Sequence, residues 1–189
     1  MIVGDNRMKL YHTGYLEIRE PDIRHGRKNA DFGQGFYTTA NEEFAVRWAR
    51  ERKDADTIVN MYELDLTGLH VRRFERDEDW FSYIYSNRNY AVDKCPEADV
   101  VIGPIANDTI FDTFGIITSG VLAPKESMQL LMIGPKYEQI ALKSEKAAAQ
   151  LKWLGRRVLS KDEVARYRAV VEAEQAEYQK LFAEAMVKL

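Results

Sequence analysis

Gly-Phe-Tyr-Thr-Thr-Ala-Asn, at residues 35–41, is the stretch that most constrains the fold. Its aromatic and β-branched residues predict a short strand over residues 35–39, and Asn41 is a residue type that caps helices. Apolar residues then recur at helical spacing over residues 42–53, which predicts an amphipathic helix that carries Trp48 on its apolar face. A strand that passes directly into a helix indicates mixed α and β structure.

Outward from this stretch, short strands and helices are predicted without regular βαβ alternation, so the expected fold class is α+β rather than a doubly wound sheet. Residues 20–34 are polar and contain glycine, which predicts a long loop that is functional or well tethered. Ser160 and Glu163 form a capping-box pattern that opens a helix running close to the C-terminus. The other predicted strands are 10–15, 57–66, 71–74, 99–104 and 137–142, and the other predicted helices are 78–86, 107–115 (as a helix or a loop with a helix), 126–132 and 144–152.

The bulk composition is typical of a soluble globular chain that folds as a single domain over residues 1–189. Hydrophobic residues make up 46% of the sequence and charged residues 30%, as in ordinary globular proteins. The net charge of -3 gives no overall attraction to nucleic acid. Cys95 is the single cysteine, which fits a reducing compartment. Without a signal-like or membrane-length apolar segment, we expect a cytoplasmic protein with no membrane partner.

Three segments follow the order found in ADP-ribosyltransferases of the diphtheria-toxin-like, His-Tyr-Glu type. Tyr-His-Thr-Gly at residues 11–14 resembles the Tyr-His-Gly segment of that family. Residues 35–39 are similar to its Gly-Phe-Tyr-Ser-Thr run, and Trp48 follows Tyr37 by eleven residues, as an aromatic does in the family. Tyr-Glu-Gln-Ile at residues 137–140 resembles the Glu-Tyr-Ile strand that supplies the catalytic glutamate.

The resemblance implies a split β-sandwich in which two small sheets, with flanking helices and a C-terminal helix, form a cleft for NAD. In such a cleft, His12 contacts the adenosine ribose, Tyr37 and Trp48 enclose the nicotinamide, and Glu138 promotes transfer of the ADP-ribosyl group. NAD is then a substrate, and the acceptor is a protein, a nucleic acid or a small molecule. Bacterial members of this size often act as toxins or effectors, which implies an antitoxin or immunity partner. The flanking residues implied in cofactor binding are Thr13, Gly14, Gly35, Phe36 and Thr38.

The chain also resembles an uncharacterised bacterial domain family assigned to the same superfold. That resemblance rests on Arg27, on Asp-Phe-Gly at residues 31–33, on residues 35–37 and on residues 99–108. Together the two resemblances cover a core of about residues 9–154. Residues of about 160–189 are then a helical C-terminal extension.

The residue types suit this chemistry on physical grounds. Cleavage of the nicotinamide glycosidic bond passes through an oxocarbenium-like state, which a nearby carboxylate such as Glu138 stabilises. A flat cationic ring binds well between aromatic faces, a role open to Tyr37 and Trp48. Arg27 can pair bidentately with a pyrophosphate, and His12 can hydrogen-bond ribose hydroxyls. Neither role requires a metal, and none is expected.

Strand register leaves the catalytic position open between Glu138 and Gln139. A shift of one residue exchanges the faces of a strand, so only one of the two side chains points into the cleft. Gln139 could bind and orient a ribose, but it could not carry the negative charge. Lys136 also stands where arginine-modifying relatives carry the first acid of a Glu-x-Glu pair, which puts arginine in doubt as the acceptor.

The expected function is NAD-dependent mono-ADP-ribosyl transfer, and two alternatives stay open at the sequence level. The same fold could bind NAD or ADP-ribose without turnover, or it could hydrolyse NAD with water as the acceptor. Asp108 is interpreted as a helix cap rather than a pocket residue. Surface positions without metal-ligand spacing are expected for His25 and His70, and a solvated basic face is expected for Lys152, Arg156 and Arg157.

Overall fold

The computed structural model describes residues 6–49, 52, 54–106 and 120–188. Within these residues the protein has mixed α and β structure, with seven strands in two small sheets and five helices. This bears out the α+β class. The predicted helix at residues 107–115 and its cap at Asp108 lie outside the described residues. The strands are β1 (Arg7–Gly14), β2 (Phe36–Thr38), β3 (Thr57–Asp65), β4 (Val71–Arg73), β5 (Val100–Pro104), β6 (Glu138–Leu142) and β7 (Leu151–Leu159), and the helices are α1 (Glu42–Arg47), α2 (Glu78–Arg88), α3 (Pro124–Leu131), α4 (Glu145–Ala149) and α5 (Lys161–Met186).

Sheet A has the strand order β1-β3-β7, and its pairs are antiparallel. Sheet B has the order β2-β6-β5-β4, in which β4 and β5 are parallel and the other pairs are antiparallel. The two sheets meet where Tyr11 of β1 pairs with Thr39, just after β2. The Tyr11 amide donates to the Thr39 carbonyl at 2.8 Å, and the Thr39 amide donates to the Tyr11 carbonyl at 3.0 Å. This pair therefore holds one end of each sheet together.

Alternation along β5 and β6 buries both faces of sheet B. Val100, Ile102 and Ile140 pack with residues of sheet A such as Leu10 and Tyr62. The neighbouring positions face the other way and pack with α2, α3 and α5, because successive side chains of a strand point to opposite faces; this second cluster includes Val101, Ala141, Trp80, Leu130, Tyr178 and Phe182.

The predicted helix caps are present. Asn41 accepts a hydrogen bond from the Phe44 amide at 3.0 Å, and Ser160 forms a capping box with Glu163 at the start of α5. The helix predicted over residues 42–53 is shorter than expected, however, because α1 ends at Arg47. The amides of Trp48 and Ala49 donate to carbonyls three residues back, a tightening that closes a helix.

The prediction of a helix over residues 144–152 is wrong for its last three residues. Helix α4 ends at Ala149, and residues 151–159 form β7, which was not predicted. Pairing with β3 overrides the helix preference predicted for residues 151 and 152. The pairing shifts register between Met61 and Tyr62, and Gly155 takes a φ of 150° there, which is rare for residues with a Cβ.

The long loop before β2 is well tethered, which is one of the two properties predicted for it. It contains no helix or strand between β1 and β2, yet Ile23 and Phe32 are buried in the two clusters. A Cβ added at Gly26 would lie 2.2 Å from the Gly35 carbonyl oxygen, so the loop backbone passes directly against the start of β2. This close approach places the second half of the loop beside the junction of the sheets.

None of the helices in the described part of the chain combines the length and the apolar character that crossing a membrane requires.

Candidate functional site

A cleft of about 260 Å³ opens beside the Tyr11–Thr39 junction. Residues from β1, the loop before β2, β2, α1, the end of β5 and β6 converge on it. Its size lies just below the range of about 300–1,000 Å³ for ligand pockets. The lining residues are Tyr11, His12, Thr13, Arg27, Ala30, Asp31, Tyr37, Thr38, Thr39, Phe44, Ala45, Trp48, Ile105 and Gln139.

His12 is fixed by one hydrogen bond, between its Nδ1 atom and the Tyr37 carbonyl oxygen at 2.8 Å. A carbonyl only accepts, so Nδ1 carries the proton, and Nε2 of the neutral ring is an acceptor. Burial lowers the pKa of His12, which favours this neutral form. The Phe36 ring packs 4.7 Å from the His12 ring, centroid to centroid. His12 therefore offers the cleft a hydrogen-bond acceptor in a fixed direction.

Tyr37 contributes its ring to the cleft, while its hydroxyl fastens the loop. The hydroxyl donates to the Gly33 carbonyl at 2.6 Å and accepts from the Phe32 amide at 2.9 Å. Burial, with the Asp31 charge as a second cause, raises the pKa of Tyr37 well above its ordinary value. The phenol therefore stays neutral and does not serve as a base.

Two aromatic side chains, one in α1 and one directly after it, form another wall of the cleft. Phe44 stacks on Tyr137 with a centroid distance of 4.4 Å and an angle of 7° between the rings. Trp48 meets Phe44 edge-on at 5.8 Å and remains 37% exposed. Trp48 is thus accessible to a ligand and supported from behind, as a stacking surface should be.

The register of β6 turns Gln139, and not Glu138, toward the cleft. Gln139 is 7% exposed and lines the cleft, whereas Glu138 is exposed to solvent outside it. Glu138 pairs with Pro104 at the end of β5, and Gln139 pairs with Gly103. The expectation that Glu138 supplies the carboxylate of the cleft is therefore corrected, because the two side chains lie on opposite faces of the strand.

Among the described residues that line the cleft, Asp31 is the one that carries a carboxylate. Its Oδ1 atom accepts from Arg88 Nε at 3.0 Å and from Arg88 Nη2 at 2.7 Å. Its Oδ2 atom accepts from the Ala106 amide and from Gln139 Nε2, both at 3.1 Å. The side chains of Asp31 and Arg88 are 7% and 2% exposed. Four donors around a buried carboxylate match its ionised form.

Arg27 lies at the edge of the cleft and is exposed. Its carbonyl accepts from the Ala30 amide at 3.4 Å, but its guanidinium group has no hydrogen-bond or ion-pair partner among the residues that the structure describes. Its guanidinium group is therefore available to an anionic ligand, which it can bind through two parallel hydrogen bonds.

The flanking residues named from the sequence divide into two groups. Thr13 and Thr38 line the cleft, but their hydroxyls donate to the backbone carbonyls of Ala45 and Ile140 at 2.6 and 3.0 Å. The other three, Gly14, Gly35 and Phe36, support the cleft from outside its lining. A Cβ added at Gly35 would lie 2.6 Å from the Leu142 carbonyl oxygen, so that glycine permits β2 to approach β6.

Sequence reasoning missed Phe44 and Asp31 as cleft residues. Phe44 is one of the apolar residues whose spacing predicts the helix over residues 42–53, and its position in the cleft depends on where α1 packs. The Asp-Phe-Gly segment at residues 31–33 carries only part of a family resemblance. A buried role for Asp31 could have been suspected from Arg88, the basic residue near the end of α2, but that pairing spans 57 residues. Among the described residues, no group of three or more His, Cys, Asp or Glu side chains could hold a metal ion.

Comparison with known proteins gives one result. No curated protein and no solved structure matches the chain. A family profile described as "Protein of unknown function (DUF3990)" matches residues 8–153, which include every residue of the cleft lining from Tyr11 to Gln139. The chain therefore belongs to the DUF3990 family.

Proposed function

We propose that the cleft binds NAD and that the chain is an NAD-dependent ADP-ribosyltransferase with an ADP-ribosyltransferase-like split β-sandwich fold. One observation carries the proposal: four residues that the sequence predicts to bind NAD, each from a different segment, line the same cleft. They are His12, Arg27, Tyr37 and Trp48, and Gln139 lies beside them in the lining. Residues of both small sheets also line the cleft, and that fold binds its substrate in a cleft formed by two small sheets.

Each lining group has a complementary part of NAD. The nicotinamide ring stacks on Trp48 and Tyr37, whose aromatic faces attract a flat cation. The Nε2 atom of His12 accepts a hydrogen bond from a hydroxyl of the adenosine ribose, because Nδ1 is occupied by the Tyr37 carbonyl. Arg27 binds the pyrophosphate.

In the reaction, the bond between the ribose and nicotinamide breaks, and nicotinamide leaves with the bonding electrons. The acceptor nucleophile then bonds to the same ribose carbon and gives up its proton. Positive charge accumulates on the ribose between these events. Two groups in the cleft can stabilise this positive charge: the carbonyl oxygen of the Gln139 side chain, which is the negative end of its dipole, and the Asp31 carboxylate. Asp31 carries the only full negative charge among the described lining residues.

A second candidate is a module that binds NAD or ADP-ribose without turnover. The orientation of β6 favours it, because the carboxamide of Gln139 stands where a catalytic carboxylate is expected and Glu138 faces away. The negative charge of Asp31 is also compensated by Arg88 at 2.7 Å, which weakens its effect on a ribosyl cation.

The two functions are separated by incubating the purified protein with NAD labelled in the nicotinamide and, separately, in the adenylate. Transfer predicts release of nicotinamide and adenylate label on a macromolecule or small acceptor. Saturable binding with no nicotinamide release rules out the enzyme and supports the binding module. Release with free ADP-ribose as the sole product shows that water is the acceptor.

Matched variants locate the activity. Gln139→Ala alters the cleft, whereas Glu138→Ala changes the adjacent exposed residue on the opposite face of the same strand. We expect weaker NAD binding or slower turnover in the first variant and little change in the second. The opposite result contradicts the assignment of Gln139 to the site.

A further inference from the structure

The orientation of the Gln139 carboxamide is set by a group that accepts hydrogen bonds and cannot donate them. Gln139 Nε2 lies 3.1 Å from Asp31 Oδ2. An ionised carboxylate offers only acceptors, so the nitrogen end of the amide must face it. Oε1 is then the amide atom that remains for a ligand.

Asp31 is itself held rigidly. Arg88 binds its Oδ1 atom through two nitrogens, and the Ala106 amide at the end of β5 binds its Oδ2 atom. These contacts join the loop before β2 to α2, β5 and β6. A carboxylate fixed from three directions is well suited to fix a fourth group.

We propose that Asp31 is the positioning residue of the cleft: it turns the Gln139 carboxamide so that Oε1 acts as an acceptor, and it makes a neutral side chain necessary at position 139. The inference deepens the proposed function and rests on it only for the identity of the ligand. With NAD bound, the Oε1 atom accepts from a ribose hydroxyl, and so does Nε2 of His12. The cleft thus presents two acceptors whose directions are set by neighbouring groups.

Asp31 disfavours a charged glutamate side chain at position 139. A carboxylate in place of the carboxamide would put one of its oxygens about 3 Å from Asp31 Oδ2, judged by the 3.1 Å that now separates Nε2 from that oxygen. Two carboxylates at this separation do not both ionise. Arg88 already donates to Asp31 through two nitrogens and is directed at Oδ1. The introduced group would therefore retain a proton shared with Asp31.

The test that needs no ligand follows the carboxyl group introduced by Gln139→Glu with carbon-detected NMR. We expect its apparent pKa to lie at least about one unit higher in the single variant than in Gln139→Glu/Asp31→Asn. The carboxyl signal of Glu138, which lies outside the cleft lining, serves as the internal control and should not differ between the two proteins. Equal values for the introduced carboxyl in the two variants overturn the proposal.

The test with ligand compares NAD affinity by calorimetry in the wild type, Asp31→Asn, Gln139→Ala and the double variant. An asparagine at position 31 can donate to Oε1 and so release the amide from its orientation. We expect Asp31→Asn and Gln139→Ala each to weaken binding about three- to ten-fold, the effect of one lost hydrogen bond, and the double variant to lose no more than either alone. Unchanged affinity in Asp31→Asn, or fully additive losses, overturns the proposal.

Removal of the Asp31 charge breaks the buried ion pair with Arg88, which can prevent folding. The variant Asp31→Asn/Arg88→Met removes both charges and retains most of the volume, and it replaces Asp31→Asn in both tests where the single variant does not fold. Failure of the wild type to bind NAD contradicts the proposed function alone. In that case the titration of the introduced carboxyl decides whether Asp31 positions residue 139.

Discussion

At the scale of single residues, the hydrogen bond between His12 and the Tyr37 carbonyl determines which ring nitrogen a ligand meets. Because the same bond joins β1 to β2, the contact that orients the histidine also holds the aromatic wall in place. The site and the junction of the sheets therefore depend on each other. A change at His12 should affect stability as well as binding.

The lowered pKa of His12 predicts a pH dependence of stability. Below the ordinary histidine pKa of about 6.5, the unfolded chain takes up a proton that the folded chain, with its lower pKa, does not. The free energy of unfolding should therefore fall as the pH is lowered from about 6.5 toward the folded pKa, and this contribution should level off below it. Urea unfolding between about pH 5 and 8 measures the effect.

The control for this prediction is His12→Asn, whose side-chain nitrogen can still donate to the Tyr37 carbonyl but does not titrate. The difference in unfolding free energy between the wild type and this variant should change with pH in the same window. A constant difference across the whole range shows that His12 does not have a lowered pKa.

How far the sequence predicts single residues depends on whether a position is fixed locally. His12 and Tyr37 could be named because each lies in a short motif at a strand. The choice between Glu138 and Gln139 could not be made, because the face of β6 is set by pairing with β2 and β5, which are distant in sequence. The role of Asp31 depends on Arg88 in the same way.

At the scale of elements, α5 supports the aromatic wall of the cleft from the outside. Arg47, the last residue of α1, donates to both the Tyr137 hydroxyl and Glu174 of α5. The Tyr137 hydroxyl also donates to Glu174 at 3.0 Å, and the Tyr137 ring stacks on Phe44. A single carboxylate on α5 thus connects Arg47 with Tyr137, the residue on which Phe44 stacks.

Glu174→Gln should destabilise the protein by about 1–2 kcal/mol, because it removes the charge that faces the partly buried Arg47. Glu172→Gln is the matched control on the same helix: Glu172 pairs with Arg168 in an exposed i,i+4 arrangement, and its loss should cost less than about 0.5 kcal/mol. Denaturant unfolding measures both. Similar losses for the two variants count against a supporting role for Glu174.

Elements with strong local signals could be predicted, and those that depend on a partner could not. Asn41, Ser160 and Glu163 marked the starts of α1 and α5 because a cap acts within one turn. The strand β7 was missed because a helix was predicted up to residue 152 and because β7 pairs with β3, which is distant in sequence. The local preference for a helix is realised over residues 145–149, and the helix ends just before β7 begins to pair with β3.

At the scale of the whole molecule, the part of the chain that follows the family match contributes to the core. The match ends at residue 153, within β7. Beyond residue 153, β7 completes sheet A. Tyr178 and Phe182 of α5 are 1% and 7% exposed in the cluster that covers sheet B.

The α+β class could be predicted from the pattern of elements. The junction of the two sheets at Tyr11 and Thr39 could not, because it joins residues 28 positions apart through backbone atoms alone.

This arrangement predicts that α5 is required for stability. Phe182→Ala should lower the free energy of unfolding by about 3–5 kcal/mol, as removal of a buried aromatic ring does. Its neighbour Leu181 is 37% exposed, and Leu181→Ala should cost less than about 1 kcal/mol. Equal and small losses in thermal or urea unfolding indicate that α5 does not contribute to the core.

Calorimetric titration of NAD into the wild type, Trp48→Ala and Tyr85→Ala decides whether the cleft beside the Tyr11–Thr39 junction binds NAD on its aromatic wall. Tyr85 is a control of similar exposure, at 39%, and it lies on α2 outside the cleft lining. We expect saturable binding of one NAD per chain, weakened about two- to ten-fold in Trp48→Ala by the lost stacking and unchanged in Tyr85→Ala. The absence of saturable binding to the wild type, or equal affinity in all three proteins, would show that the aromatic wall does not bind NAD.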